Sequence, residues 1–161
     1  MLPRIEIFPK KQFVGCRMTM SRSENKTGVL WRNFMLRRKE IQNTVGIELY
    51  SVNVYDTLYF DNFNPDAEFE KWALCEVSML DSIPQGLESL TIPGGKHAVF
   101  IHKGPASKGP ETFGNIFRNW LPGSDYELDN RPHFEILGDK YKNDDPGSEE
   151  EIWIPVRTRK H

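Results

Sequence analysis

Two stretches of the chain carry apolar residues at helical spacing, and several others carry them at every second position. In TGVLWRNFMLRRKEIQN (27–43), Leu30, Phe34 and Ile41 fall on one helical face beside Trp31 and Met35. In ETFGNIFRNWL (111–121), Phe113, Ile116, Phe117, Trp120 and Leu121 follow the spacing of a core-facing helix, with Pro122 and Gly123 as its expected stop. The two helices contain near-copies of one heptad, GVLWRNF (28–34) and GNIFRNW (114–120). What flanks them also repeats. FVGCRMT (13–19) and HAVFIHK (97–103) alternate ahead of the helices, and IELYSVNVYD (47–56) and HFEILGDKYK (133–142) follow them. Glu70-Lys71-Trp72 and Glu151-Ile152-Trp153 then match once a shorter second hairpin loop is allowed.

Each half therefore reads strand, helix, strand, strand. The expected architecture is α+β: two βαββ units, about 3–80 and 90–158, joined by a linker at about 81–89 (DSIPQGLES). Units of this size are small to stand alone. They are expected to combine as a pseudo-twofold pseudo-dimer, with antiparallel sheet, helices on one side and a central cleft between the halves. The loop NDDPGS (143–148) is a plain turn, whereas TLYFDNFNPD (57–66) carries three aromatics and is more than a polar linker.

The candidate chemistry sits on the last strand. In EEEIWIPV (149–156), Ile152, Ile154 and Val156 share one face, and Glu151, Trp153 and Pro155 the other. A carboxylate two residues from an indole suits an organic cation, which the ring attracts through its quadrupole and the carboxylate neutralises. The plainer alternative is a solvated glutamate beside a tryptophan that covers the sheet. Glu70 and Trp72 repeat the pair on a face shared with Leu74 and Glu76. Glu135, between apolar neighbours, is either exposed by local twist or functional. Trp31, Phe34, Phe117 and Trp120 read as core residues that also qualify as cleft walls, and Tyr50, Tyr55 and Tyr141 can offer hydroxyls to a cleft or simply pack.

Composition narrows the partners. Of the 161 residues, 21 are Lys or Arg and 23 Asp or Glu, a net charge of −2, which lacks the basic surplus of a nonspecific phosphate binder. The only cysteines are Cys16 and Cys75, and no spacing suggests zinc, so the plain reading is a reduced cytoplasmic protein without metal or cofactor. A Cys16–Cys75 disulfide is the alternative. His97 and His102 differ in parity and should point to opposite faces. The start, MLPRIEIFPKKQF, has no signal-peptide run, and nowhere is there an apolar span long enough for a membrane helix. There is no GxSxG elbow and no phosphate loop before a helix.

The blocks IPGGKHAVFI (92–101), IFRNWLPGSDYEL (116–128), RPHFEIL (131–137) and EEIWIPV (150–156), in this order, resemble the GyrI-like family: effector-binding domains of bacterial multidrug-sensing transcription regulators and their stand-alone relatives, including the DNA gyrase inhibitor protein. The resemblance implies a tandem βαββ pseudo-dimer whose cleft binds amphipathic, often cationic compounds. It puts Glu151, Trp153, Ile154, Pro155 and Val156 on the family's last-strand motif, and Glu135 on its frequent Phe-Glu pair. The ligand-binding residues expected from both lines of reasoning are Glu151, Trp153, Glu135, Trp120, Phe117, Tyr50, Trp72 and Trp31.

Two alternatives follow from the resemblance. Some members look like hydrolases of cyclopropane-bearing electrophiles, which would make Glu151 a general base. Others suggest a protein that acts on gyrase. The family's regulators carry a helix-turn-helix ahead of this domain, whereas here the first repeat begins almost at Met1, so a stand-alone binder without DNA contact is expected. Trp153 stands where the family usually has Tyr, which removes a hydroxyl.

Overall fold

Alternating sequence becomes strand, and the strands assemble into one curled antiparallel sheet. The computed structural model describes residues 2–160. The strands are β1 (Arg4–Phe8), β2 (Lys11–Met20), β3 (Thr44–Val54), β4 (Phe69–Val77), β5 (Glu88–Ile92), β6 (Gly95–Lys103), β7 (Tyr126–Leu128), β8 (His133–Leu137) and β9 (Glu149–Thr158). Their order across the sheet is β1-β6-β9-β8-β3-β4-β2-β5, with β7 paired to β9. Helix α1 (Thr27–Arg37) and a second helical stretch beginning with α2 (Gly109–Asn115) follow β2 and β6. No helix among the described residues is long and apolar enough to cross a membrane.

Both helices lie on one face. Under α1, the buried Leu30 and Phe34 pack with Val14, Ala73, Cys75 and Val77. Each of these two large side chains contributes roughly 1.5–3 kcal/mol on burial. Under the second helix, Ile116 packs with Ala98, Phe100, Ile152, Ile154 and Val156, and Phe113, Phe117 and Trp120 flank them. The aliphatic face of β9 is thus core, as its alternation indicates. Met35, expected beside the α1 core face, is instead half-exposed. Cys16 and Cys75 are free thiols.

Three features depart from the sequence pattern. Strands β1 and β5 lie outside the expected strand-helix-strand-strand pattern, and β5 begins inside the stretch expected to be linker. Each is short and pairs with a strand far along the chain, β1 with β6 and β5 with β2, so local alternation carries little of their signal. The second helix is not uniformly α: it widens into a π turn at Ile116–Trp120 before a last short turn, Leu121–Gly123, which ends it at the expected Pro122-Gly123 stop with Ser124 extended. Finally, β3 slips register between Thr44 and Leu49, where Gly46 takes φ of 70°, a conformation that favours glycine.

Candidate functional site

The sheet face opposite the helices is concave and lined with aromatics. Even-numbered positions of β3, β4 and β8 and odd-numbered positions of β9 turn the same way. Trp153, Phe134, Val52 and Trp72 are direct cross-strand neighbours in one row over four adjacent strands. They form a single buried cluster with Phe8, Phe13, Tyr50, Leu74, Ile92 and Val99. Trp153 stacks on Phe134 with ring centroids 5.5 Å apart, and Phe8 meets it edge-on at 5.3 Å. Such pairs add about 0.5–1.5 kcal/mol beyond area burial.

Glu151 stands at the rim of this cluster. Its Oε1 accepts from Trp153 Nε1 at 3.0 Å, and its Oε2 accepts from the Arg4 guanidinium at 2.8 Å. The same guanidinium lies 5.9 Å from the Trp153 ring centroid. Carboxylate, indole and a cation therefore meet at one place, and the cation is the chain's own. The arrangement occurs twice. Trp72 Nε1 donates to Glu70 Oε1 at 2.5 Å, Arg17 donates to Glu70 Oε2 at 2.8 Å, and the Arg17 guanidinium lies 5.7 Å from the Trp72 centroid. Arg17 also donates to Glu88 at 2.7 Å.

Two polar groups complete the face. His97 is fully buried against Phe8, Phe134 and Trp153. Burial, helped by the nearby Arg131 charge, pushes its pKa down to about 4 against the opposing Gly95 carbonyl, so the ring is neutral at pH 7. Because a carbonyl only accepts, Nδ1 carries the proton and donates to Gly95 at 2.9 Å, leaving Nε2 to face Arg131. Arg131 is itself fixed by Asp129 at 2.7 Å and the Lys96 carbonyl at 2.6 Å. Burial, and then the charges of Glu76, Glu48 and Glu151, raise the pKa of Tyr50, which keeps its phenol protonated as a donor.

Of the eight sequence candidates, Glu151, Trp153, Tyr50 and Trp72 share the concave face. Glu135, Trp31, Phe117 and Trp120 lie on the other side. Trp31 and Trp120 ride on the helices and pack into the two helix-side clusters. Phe117 stacks on Phe60 at 5.3 Å, under the 57–66 loop whose aromatics the sequence flagged. Glu135 pairs with Ser51 and Ile152, so strand parity turns it away from Glu151. His97 and His102 do occupy opposite faces, His102 bonding Thr112 at 2.8 Å on the helix side. Sequence reasoning missed Arg4, Arg17, Phe8, Phe134 and His97. The alternation in RIEIF (4–8) was the available signal for Arg4 and Phe8, but not for their partners, which lie far along the chain.

Glu135 instead faces Glu150. Burial first, and then the Glu135 carboxylate, raises the pKa of Glu150, with Lys71 opposing. A carboxyl whose folded pKa exceeds its unfolded value stabilises the fold fully below the ordinary glutamate range and loses that contribution as pH rises through the folded pKa. Glu150→Gln should therefore raise the thermal midpoint relative to wild type, by an increment that grows from pH 4.5 to pH 8. Parallel pH profiles for the two proteins in calorimetry would refute the pairing.

Two open grooves lie elsewhere. One, of about 360 Å³, runs between α1 and β2 past Leu30, Asn33 and Arg37, and the other, of about 420 Å³, lies beside Asn115, Ile116, Asn119 and Trp120. Neither brings a carboxylate and an indole together. The concave face does, but it is closed by its own side chains, with Trp72 4% and Trp153 7% exposed. Among the described residues, no group of three or more His, Cys, Asp or Glu is placed to hold a metal.

Comparison with known proteins places the chain in a family. The chain matches the GyrI-like small molecule binding domain over residues 1–157. It is 28% identical over 155 residues to the transcriptional regulator BrlR of Pseudomonas aeruginosa, covering 95% of this chain and 54% of BrlR, so it spans about half of that relative. Its fold is similar to that of SAV2435 bound to tetraphenylphosphonium (TM-score 0.71, 15% identity, 98% of this chain and 94% of that one). It is also similar to the EcmrR C-terminal domain (TM-score 0.68, 16% identity, 99% and 100%) and to a hydrolase encoded by lin2189 from Listeria innocua (TM-score 0.60, 14% identity, 97% and 92%). The family match over residues 1–157 makes this chain a member of the GyrI-like small molecule binding domain family.

Proposed function

We propose that the concave face binds amphipathic organic cations, with Glu151 as counter-charge and Trp153 and Phe134 as the ring wall. The observation that carries this reading is Arg4: a guanidinium already rests against the Glu151 carboxylate and the Trp153 indole. SAV2435, whose fold is similar, binds tetraphenylphosphonium, a cation of the same kind. We also read the chain as a duplicated unit. Its support is the strand order: β3-β4-β2 and β8-β9-β6 run outward from the sheet centre in matching sequence, each ending on the other half's arm, β5 or β1.

An incoming cation has to displace Arg4, whose side chain is 42% exposed beside a Glu151 side chain 34% exposed. Ion pairs this solvated are worth about 0–1 kcal/mol, so displacing Arg4 costs little, whereas the buried Trp153 and Phe134 rings have to part to admit a bulky cation. Both Glu151 oxygens are engaged by Arg4 and Trp153, which suits holding charge better than activating water.

Titration with tetraphenylphosphonium, followed by tryptophan fluorescence, tests the proposal. Saturable quenching is expected, and Arg4→Ala should tighten binding about 3- to 5-fold by removing the competitor. Absence of a saturable change in both proteins would overturn it.

A further inference from the structure

We infer that the face formed by α1 and the 57–66 loop is a homodimer interface, in which the helix of each copy lies against the loop of the other. This face is on the helix side of the sheet, away from Glu151 and Trp153, so the cation reading neither supports nor requires it. Helix and loop are neighbours within one copy. Ser23, just ahead of α1, donates its N–H to the Pro65 carbonyl at 2.9 Å and its hydroxyl to Asp66 at 2.5 Å. Arg22 lies 5.9 Å from the Tyr59 ring centroid and 5.4 Å from that of Phe63. The loop therefore flanks the N-terminal end of the helix.

The two segments carry opposite charge. At the loop and the turn tied to it, Glu24, Asp56, Asp61, Asp66 and Glu68 are exposed, and among the described residues none of them takes part in a salt bridge. Along α1 and the turn after it (Arg38–Glu40) the one acid is Glu40, which Arg37 holds, while Arg32 and Lys39 are exposed and in no salt bridge among the described residues. Opposite the buried Leu30 and Phe34, helical spacing sets Gly28, Arg32, Met35, Leu36 and Lys39 along the solvent face. Leu36 is 83% exposed, and Phe63 on the loop 78%. Apolar surface framed by unpaired charge marks a contact face. Charge complementarity selects a second copy as its occupant. The basic end of α1 and the acidic loop share one face of one chain, separated by the eleven-residue helix, about 16 Å long, so a copy turned about a twofold axis offers each its opposite. An axis near Gly28, which has no side chain to hold the helices apart, puts Leu36 and Lys39 of each copy on the other's loop. Both contacts then form at once, and the assembly closes as a dimer.

The outward parts of one helix and one loop fall short of the about 20–30 residues a side of a standard interface, so a dissociation constant of about 10–100 µM is expected. Sedimentation velocity of the full chain, from about 5 to about 500 µM, brackets that value. A monomer–dimer equilibrium is expected, weakening about 10-fold between about 50 and about 500 mM NaCl as the exposed charges are screened. Arg32→Glu with Lys39→Glu, and separately Asp61→Lys with Glu68→Lys, should each give a monomer with a thermal midpoint near wild type. Mixed in equal amounts, the two variants should dimerise again, because both contacts once more join opposite charges. A wild-type chain that stays monomeric throughout overturns the dimer and leaves the cation site standing. So does a dimer indifferent to salt, growth beyond the dimer, or a mixture of folded variants that stays monomeric. The concentration and salt series uses wild-type protein and does not depend on any variant folding.

Discussion

Glu151→Gln is expected to weaken tetraphenylphosphonium binding by about 10- to 100-fold, roughly 1.4–2.7 kcal/mol. The substitution keeps the volume and an acceptor oxygen for the Trp153 indole, so the fold and the ring wall survive. What it removes is the counter-charge at the rim of a buried aromatic cluster, where an unpaired cation is costly to hold. The loss is cleanest in an Arg4→Ala background. In the otherwise wild-type chain, Arg4 also loses its partner and ceases to compete, which masks part of the effect. Fluorescence titration of the four combinations gives the coupling directly. Equal affinity with and without the carboxylate would remove Glu151 from the site.

Gly15→Ala should produce the largest loss of stability from a single methyl group. Gly15 lies in β2 where that strand pairs with β4 on one side and β5 on the other, opposite Leu74 and Glu88. A Cβ built there overlaps the backbone carbonyl oxygen of Ala73, which is tied into the sheet and cannot rotate away as a side-chain tip would. Relief requires parting β2 from β4 in the middle of a ten-residue strand. Overpacking typically costs 1–3 kcal/mol, and the obstacle here is backbone, so about 3 kcal/mol is expected. For a chain of this size that lowers the thermal midpoint by about 6–12 °C. A midpoint within 2 °C of wild type would show that the strands tolerate the spread.

The parts of this architecture that depend on local periodicity could be read from the chain. Leu30 and Phe34 recur at helical spacing and lie buried under α1. Glu151 and Trp153 alternate against Ile152 and Ile154 and do face away from the helices. Period-two reasoning decides which residues share a face of one strand, but not which face of the sheet another strand contributes. Glu135 shows this, since parity on β8 sends it toward the helices while Phe134 and Ile136 join Glu151's side. Trp31 and Trp120 were readable as core, and the same spacing that buries them under the helices keeps them from the concave face. Arg4 is the sharpest omission. It meets Glu151 only because β1 pairs with β6, beside β9, a contact spanning 147 residues that no local pattern records.

The chain has four tryptophans, Trp31, Trp72, Trp120 and Trp153, two on each side of the sheet, and their indole N–H groups give resolvable signals in a ¹H–¹⁵N correlation spectrum. Single Trp→Phe variants assign them. The most direct test of the binding face is to titrate tetraphenylphosphonium and follow those four signals. Binding at Glu151 and Trp153 predicts that the Trp153 signal moves most and saturates, as the carboxylate that accepts its N–H takes on the ligand, while Trp31 and Trp120 stay in place. Movement of Trp31 or Trp120 with Trp153 unmoved would put the ligand on the helix side and contradict the concave site.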